Sequence, residues 1–204
     1  MGDHPRLRPG WCHCVAGTYG SWLPGDPRGF RTRGHREHVE GDYKSPPEED
    51  YSVRHAVARE KMSGNAVVLS TAARQVVRLE VVDSLLRRDV ELLAVAVAAT
   101  HLHVLGRFPC GKKPTFGERG LPATSAVKDP VRHFMGQAKQ WSAKRLKHEG
   151  LISAPHVWAK RGKIVRVRDR PHQLNVLRYI LRHADEGAAV WSWRGSDITK
   201  KPTD

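Results

Sequence analysis

The chain has 204 residues, enough for one compact domain, and its 39% hydrophobic and 27% charged residues are ordinary for a folded protein. Its 35 Lys and Arg against 21 Asp and Glu give a formal net charge of +14, and residues 128–182 alone hold 14 basic and 3 acidic residues. Positive charge gathered in one stretch predicts a nucleic-acid-binding face, with a basic surface kept for solubility as the alternative.

The sequence contains no signal-type apolar segment near its first residue, and no apolar run approaches the roughly 20 residues of a membrane span. We therefore expect no membrane association, and a cytoplasmic protein held to the nucleoid through DNA. The chain has three cysteines, Cys12, Cys14 and Cys110, and an odd number cannot all pair in disulfides. No second Cys/His pair at finger spacing follows Cys12 and Cys14, so we expect buried thiols there rather than zinc ligands.

The first predicted element is a strand over residues 11–19, which are rich in aromatic and β-compatible types. Dense Pro, Gly and Asp then indicate a long, partly irregular insertion over 20–66. Within this insertion, residues 51–61 are compatible with a short helix.

The next segment predicts a helix followed by two paired strands. Ser70 or Thr71 can cap a helix that runs to about Arg88 with a broad apolar stripe. A buried strand over 90–98 follows, and a tight turn leads to its antiparallel partner over 100–108.

The third helix has clear boundary signals. Asp129 followed by Pro130 predicts a helix start, because an N-cap and a proline at the first helical position occur together, and Gly150 predicts its end. Residues 155–168 alternate well enough for a fourth strand, or for a hairpin bent at Gly162.

The last predicted helix covers about residues 172–185, so the element order is β-α-β-β-α-β-α. The first six elements match the split βαβ arrangement, which predicts an α+β, ferredoxin-like antiparallel sheet with helices on one face and an added C-terminal helix. We expect a single domain over 1–194 and a flexible tail over 195–204.

His101 and His103 lie two apart in the third predicted strand. Alternate side chains of a strand point to the same face, so the two imidazoles can share one divalent metal while Leu102 points into the core. The alternative is a pair of surface histidines on the exposed face of a sheet.

The last helix adds a tyrosine and a third histidine. Its apolar residues fall in one arc, while Tyr179 and His183 lie outside it or at its edge and, being four apart, close to each other. A tyrosine buried for structural reasons is the alternative.

These residues resemble a known family, the single-tyrosine HUH transposases, including the transposase-like proteins associated with repetitive extragenic palindromes. The resemblance is carried by THLHV at 100–104, Val157-Trp158 before a basic strand, LRYI at 177–180 and GTYGSWLPGDPRGF at 17–30. It spans most of residues 11–191, and its specific part is the combination of the His-x-His strand with the late tyrosine helix.

The resemblance implies a metal-dependent endonuclease and strand transferase that acts on single-stranded or hairpin DNA. His101 and His103 match the family's ligands for Mg²⁺ or Mn²⁺, and Tyr179 matches the nucleophile that forms a 5′-phosphotyrosine intermediate. The family often has glutamine four residues after this tyrosine, and His183 stands there instead, which predicts a three-histidine site and shifts the metal preference towards Mn, Zn or other transition metals. A homodimer is possible, as are monomers.

Basic and aromatic residues of the second half are predicted DNA contacts. The basic ones, each a sequence-independent phosphate contact, are Lys139, Lys144, Arg145, Lys160, Arg161, Arg166, Arg168, Arg178 and Arg182. Trp158, Trp191 and Trp193 could stack on unpaired bases, although Trp158 fits the core equally well.

Two other functions are compatible with the sequence. A domesticated relative could bind structured DNA without cutting it, and the nonstandard His183 is the reason to retain this alternative. An RNA-binding ferredoxin-like module is disfavoured, because its glycine-aromatic strand signature is missing and because the two strand histidines and Tyr179 would be coincidences.

Overall fold

The computed structural model describes residues 10–26, 51–109 and 129–195. In these ranges the chain forms four helices and one five-stranded antiparallel sheet, which confirms the predicted α+β class. The elements are β1 (Trp11–Thr18), α1 (Ser52–Glu60), α2 (Thr71–Leu86), β2 (Glu91–Val97), β3 (His101–Arg107), α3 (Pro130–His148), β4 (Trp158–Arg166), α4 (Arg170–Arg182) and β5 (Ala189–Ser192).

The sheet has the strand order β4-β1-β3-β2-β5, and every neighbouring pair is antiparallel. Its first four strands have the order expected of a split βαβ fold. The sequence analysis did not predict β5, which pairs with the outer edge of β2. A four-residue strand is shorter than the windows in which alternation can be recognised, so only its pairing with β2 reveals it.

The main hydrophobic core lies between the sheet and helices α2 and α3. Cys12, Cys14 and Ala16 face this core from alternate positions of β1, while Val77 and Ala138 face it from the two helices. The prediction of two buried thiols at Cys12 and Cys14 is therefore confirmed, and burial raises the pKa of the Cys14 thiol.

A second, smaller core lies on the opposite face of the sheet, under α4. Ala94, Ala96 and Leu105 from the strands pack there against Val176 and Ile180 of the helix. Short alanine side chains on β2 allow the helix to lie close to the sheet. The helix that carries the predicted site residues is thus fixed on the face that α2 and α3 leave uncovered.

Side-chain caps begin the three long helices. The Ser70 hydroxyl accepts a hydrogen bond from the Ala73 backbone N–H, and Asp129 accepts one from the N–H of Arg132, as predicted. Asp169 caps α4 in the same way, so this helix begins at Arg170, two residues earlier than expected.

The fourth strand is continuous, and the alternative of a hairpin bent at Gly162 is wrong. Gly162 lies opposite Ala16 in the ladder, and a β-carbon at this position would be 2.5 Å from the backbone oxygen of Val15. The glycine permits close approach of two backbones rather than a turn.

The expectations for the insertion and for the tail fall mostly outside the described residues. Residues 27–50 of the insertion, Cys110 and residues 196–204 are not described, so the domain boundaries stay predictions. The short helix expected near 51–61 is present as α1. In the described ranges, no helix combines the length and the apolar character needed to cross a membrane.

Candidate active site

Strand β3 carries two histidines on the sheet face that α4 covers. His103 lies opposite Val15 of β1 and Ala96 of β2, and His101 lies opposite Gly17. Directly paired residues of antiparallel strands share a face. The alternation therefore sends Leu102 into the main core and His101 and His103 towards α4, as the sequence analysis predicted.

Helix α4 places Tyr179 and His183 above these histidines. Val176 and Ile180 bury the inner side of the helix, which leaves Tyr179 43% exposed at the edge of the contact. His183 is the C-cap residue and is only 5% exposed. Its Nδ1 is 2.9 Å from the Tyr179 carbonyl oxygen, one helical turn earlier.

The three histidines His101, His103 and His183 converge. One ring nitrogen from each lies within 4.8 Å of the others, and they form the group that could hold a metal ion in the described part of the chain. In each ring Nδ1 faces a polar partner: Thr100 Oγ1 at 3.3 Å for His101, His13 Nε2 at 3.0 Å for His103, and the Tyr179 carbonyl for His183. Nε2 of each ring is then the nitrogen available to a metal.

The donor set fits a divalent metal. His103 Nε2 is buried and has no hydrogen-bond partner among the described residues, which is costly for a polar atom unless something binds it. Burial, and then the charges of His101 and His13, lowers the pKa of His103 to about 2. Burial followed by His183 also lowers the pKa of His101. Neutral imidazoles present the lone pairs that metal ions require.

The tyrosine ring contacts the histidine cluster directly. The Tyr179 ring centroid is 4.8 Å from that of His183 and 5.3 Å from that of His103, in both cases edge to face. Its partial exposure leaves the phenol accessible from solvent. The structure thus brings together the four residues that the sequence singled out for catalysis and metal binding.

His13 belongs to the same cluster, and the sequence analysis missed it. Its ring stacks on His103 with centroids 5.2 Å apart and lies 6.2 Å from the Tyr179 ring. Burial, followed by the charges of Lys163 and His172, lowers the pKa of His13 to about 4. The available signal was the alternation of β1, which puts His13 on the face opposite to Cys12 and Cys14.

The predicted DNA contacts on β4, on α4 and in the connection between them are exposed: Lys160, Arg161, Arg166, Arg168, Arg178 and Arg182. They do not all border this cluster, because Arg166 pairs with the core-facing Cys12 and Lys160 lines a cleft between β4 and α3. Lys163 was not predicted, yet it pairs with Val15, which also pairs with His103, so its side chain is on the same face as the histidines. Positive charge therefore borders the site along its β4 side.

Three predicted contacts on α3 are already engaged within the protein. The Lys139 ammonium donates to the Ala159 carbonyl oxygen at 2.7 Å, and burial lowers the pKa of this lysine. Lys144 lies over the Trp141 ring, and Arg145 pairs with Glu149 at 2.5 Å. Lys144 and Arg145 remain exposed, whereas Lys139 is half-buried.

Trp158 lies in the main core. Its side chain is 9% exposed, and its indole N–H donates to the Ser142 hydroxyl of α3 at 3.1 Å. The structure therefore favours the core alternative over base stacking for this residue. Trp191 also packs partly against the main core, while Trp193 is 55% exposed.

No protein-family model matches the sequence, and neither does any curated protein. Among solved structures, the chain is similar to a REP-associated tyrosine transposase bound to a REP hairpin. The similarity has a TM-score of 0.42 and 11% sequence identity, and it covers 91% of this chain and 74% of that one.

Proposed function

We propose that the protein is a metal-dependent single-stranded DNA endonuclease and strand transferase that acts at hairpin-containing DNA through a 5′-phosphotyrosine intermediate. The observation that carries the proposal is the contact of a half-exposed tyrosine with two of three converging imidazoles, and one of these two has a buried nitrogen without a hydrogen-bond partner among the described residues. The sequence resemblance to single-tyrosine HUH transposases supports the same assignment.

Tyr179 is the nucleophile in this proposal. Its Oη forms a bond to the scissile phosphorus while the bond from phosphorus to the 3′ oxygen breaks, and the strand 5′ end stays on the protein. The phenol proton passes to solvent, and the departing 3′ oxygen gains a proton to become a free hydroxyl. Because the new phosphodiester keeps the bond energy, another 3′ hydroxyl can reverse the step and join strands.

His101, His103 and His183 would hold the metal, Mg²⁺ or Mn²⁺, and the all-imidazole donor set favours Mn²⁺. When bound, the ion would supply Lewis-acid stabilisation of negative charge on the phosphate. The chain itself contributes a rigid frame: His101 and His103 come from a central strand, and His183 from a helix end that its own side chain caps.

The DNA would lie along β4 and reach Tyr179 from that side. Exposed cations on β4 attract phosphates without reading sequence, and Lys163 extends this charge to the histidine cluster. On the other side of the strand, a cleft of about 150 Å³ between β4 and α3 is lined by further basic residues, including Arg132 and Lys160. A hairpin stem and its single-stranded flank could therefore both contact β4.

Covalent trapping tests the proposal. Purified protein is incubated with labelled single-stranded DNA hairpin libraries in Mn²⁺, in Mg²⁺ and in EDTA, and adducts are resolved on denaturing gels. We expect an adduct that requires metal and that disappears in Tyr179→Phe and His101→Ala. Tyr19→Phe is the matched control, because the Tyr19 hydroxyl bonds to Ser63 instead of facing the histidines, and its adduct should persist.

Absence of an adduct would contradict catalysis. If the protein still binds DNA hairpins tightly, the domesticated, noncatalytic DNA-binding function replaces the proposal. If it prefers single-stranded RNA to DNA hairpins, the RNA-binding alternative replaces both. Light scattering of the free and DNA-bound protein would decide between monomer and the possible homodimer.

A further inference from the structure

His13 has no role in the function proposed above, although its ring is part of the histidine cluster. We propose that His13 is a positioning residue, whose Nε2 accepts a hydrogen bond from His103 Nδ1–H and thereby directs the His103 Nε2 lone pair towards His101 and His183. The inference deepens the metal-binding part of the proposed function and rests on it.

The geometry of the pair supports this role. His13 Nε2 and His103 Nδ1 are 3.0 Å apart, which is hydrogen-bond distance, and one of the two nitrogens must carry the proton. The rings stack at 29°. Both residues are on the central strands β1 and β3, whose ladder fixes their relation: His13 pairs with Leu105, the next residue on the same face after His103.

The environment of His103 selects the direction of the hydrogen bond. If His13 donated, a neutral His103 would carry its own proton on Nε2, which is buried and has no acceptor among the residues that the structure describes. A buried N–H without an acceptor is strongly unfavourable. If His103 donates instead, its Nε2 is unprotonated, and the lone pair on this nitrogen is free to bind a metal together with His101 and His183. His13 then carries its proton on Nδ1 and is partly exposed, so water can accept from it.

A metal-ligating histidine usually donates its second ring N–H to a carboxylate or a carbonyl, and this partner fixes the ring and its tautomer. For His183 the partner is the Tyr179 carbonyl. For the buried His103, the acceptor is the imidazole of His13. The pairing keeps a charged side chain out of the cluster, so the phosphate would meet no added negative charge.

The tautomer can be measured without any metal or DNA. Nitrogen-15 spectra of histidine-labelled, EDTA-treated protein distinguish Nδ1–H from Nε2–H rings, and the His103 signals are assigned by their loss in His103→Gln. We expect His103 in the Nδ1–H form in the unaltered protein. Finding its proton on Nε2 would overturn the inference, whatever the protein does to DNA.

The affinity for Mn²⁺, measured by competition with a fluorescent chelator, supplies the second readout. His13→Phe keeps a ring but removes the acceptor, and we expect it to weaken binding about 10- to 100-fold. His13→Gln supplies an amide oxygen as acceptor near the position of His13 Nε2, and it should retain most of the Mn²⁺ affinity. His156→Phe, a histidine that packs on Tyr19 away from the cluster, is the matched control and should bind normally.

The outcomes separate the two proposals. Unchanged affinity in His13→Phe, or an equal loss in His13→Gln, would overturn the positioning role. If the unaltered protein binds no Mn²⁺, the metal-dependent function fails, while the nitrogen-15 spectra still decide which nitrogen of His103 carries the proton. If Mn²⁺ binds as expected but no covalent adduct forms, the positioning role stands and only catalysis fails.

Discussion

Tyr179 and His183 are one helical turn apart, and the end of α4 gives them different surroundings. Tyr179 is half-exposed and can meet a substrate, whereas His183 is buried, uses Nδ1 to cap the helix and has Nε2 left for the cluster. A side chain that both ends the helix and meets His101 and His103 links the position of the proposed metal site to that of the proposed nucleophile.

His183 therefore offers a direct test of the three-histidine site. We expect His183→Ala to weaken Mn²⁺ binding by more than about tenfold, because it removes both a ligand and the helix cap. His183→Gln keeps an oxygen ligand at the same offset and should shift the preference from Mn²⁺ towards Mg²⁺. Calorimetric titration with both ions measures the two effects. Equal Mn²⁺ affinity in His183→Ala and the unaltered protein would exclude His183 as a ligand.

At the scale of the elements, the stability of α4 depends on the hydrogen bonds of its first turn as well as on its packing against the sheet. The Asp169 carboxylate accepts from the His172 N–H at 2.7 Å, and the helix packs on β2, β3 and β5. Asp129 begins α3 by the same device, with a 3.1 Å bond to the Arg132 N–H. The two caps form a natural pair for comparison, since of the two helices only α4 carries residues of the histidine–tyrosine cluster.

Asp169→Ala should lower the free energy of unfolding by about 0.5–2 kcal/mol, the usual cost of losing an N-cap. Hydrogen exchange should become faster in the first turn of α4 and stay unchanged in α3. Asp129→Ala is the control, with a similar loss of stability and the faster exchange confined to α3. Denaturant unfolding and exchange mass spectrometry give the measurements, and unchanged stability in Asp169→Ala would contradict the assigned cap.

The contact between β1 and β4 makes a second prediction at this scale. Gly162→Ala would place a β-carbon 2.5 Å from the Val15 backbone oxygen, so one strand must shift, and we expect a loss of about 1–3 kcal/mol. Gly136→Ala in α3 is the matched control: nothing lies within 4 Å of its β-carbon, and alanine favours a helix by about 0.5–1 kcal/mol. In urea unfolding, the free energy of unfolding should fall in Gly162→Ala and rise in Gly136→Ala. Changes of the same sign in both variants would refute the close approach of the two backbones.

On the scale of the whole molecule, the net charge of +14 would be the main source of the DNA affinity that the proposed function requires. The structure divides the predicted phosphate contacts into exposed residues, such as Arg161, and residues already bonded within the protein. Lys139 belongs to the second group, because its ammonium donates to the Ala159 carbonyl and is half-buried. We therefore expect such a residue to contribute less to DNA binding than its place in the basic stretch of the sequence suggests.

The salt dependence of hairpin binding distinguishes the two groups. We expect Arg161→Gln to reduce the slope of log affinity against log salt concentration by about 0.7–0.9, the contribution of one phosphate contact. Lys139→Gln should change this slope little and should instead lower the stability of the fold, since it loses a bond to β4. Fluorescence anisotropy at several salt concentrations measures the slope, and an equal reduction in both variants would make Lys139 a phosphate contact as well.

The sequence determined those features that depend on the local backbone. A strand places His101 and His103 on one face, a helix brings Tyr179 beside His183, and cap residues mark where helices begin, because each relation spans only two to four residues. Hydrophobic periodicity likewise gave the order of the first six elements. These relations hold wherever the strand or the helix packs.

Only the tertiary structure decided which distant residues meet. The strand order brings β1 beside β3, and so His13 against His103, while the pairing of β5 with β2 completes the sheet. Packing of α3 on the sheet buries Trp158 and engages Lys139. These contacts join residues from 16 apart, as for Trp158 and Ser142, to 98 apart, as for Ala94 and Ser192, and their register follows from the burial of whole faces, which no local spacing encodes.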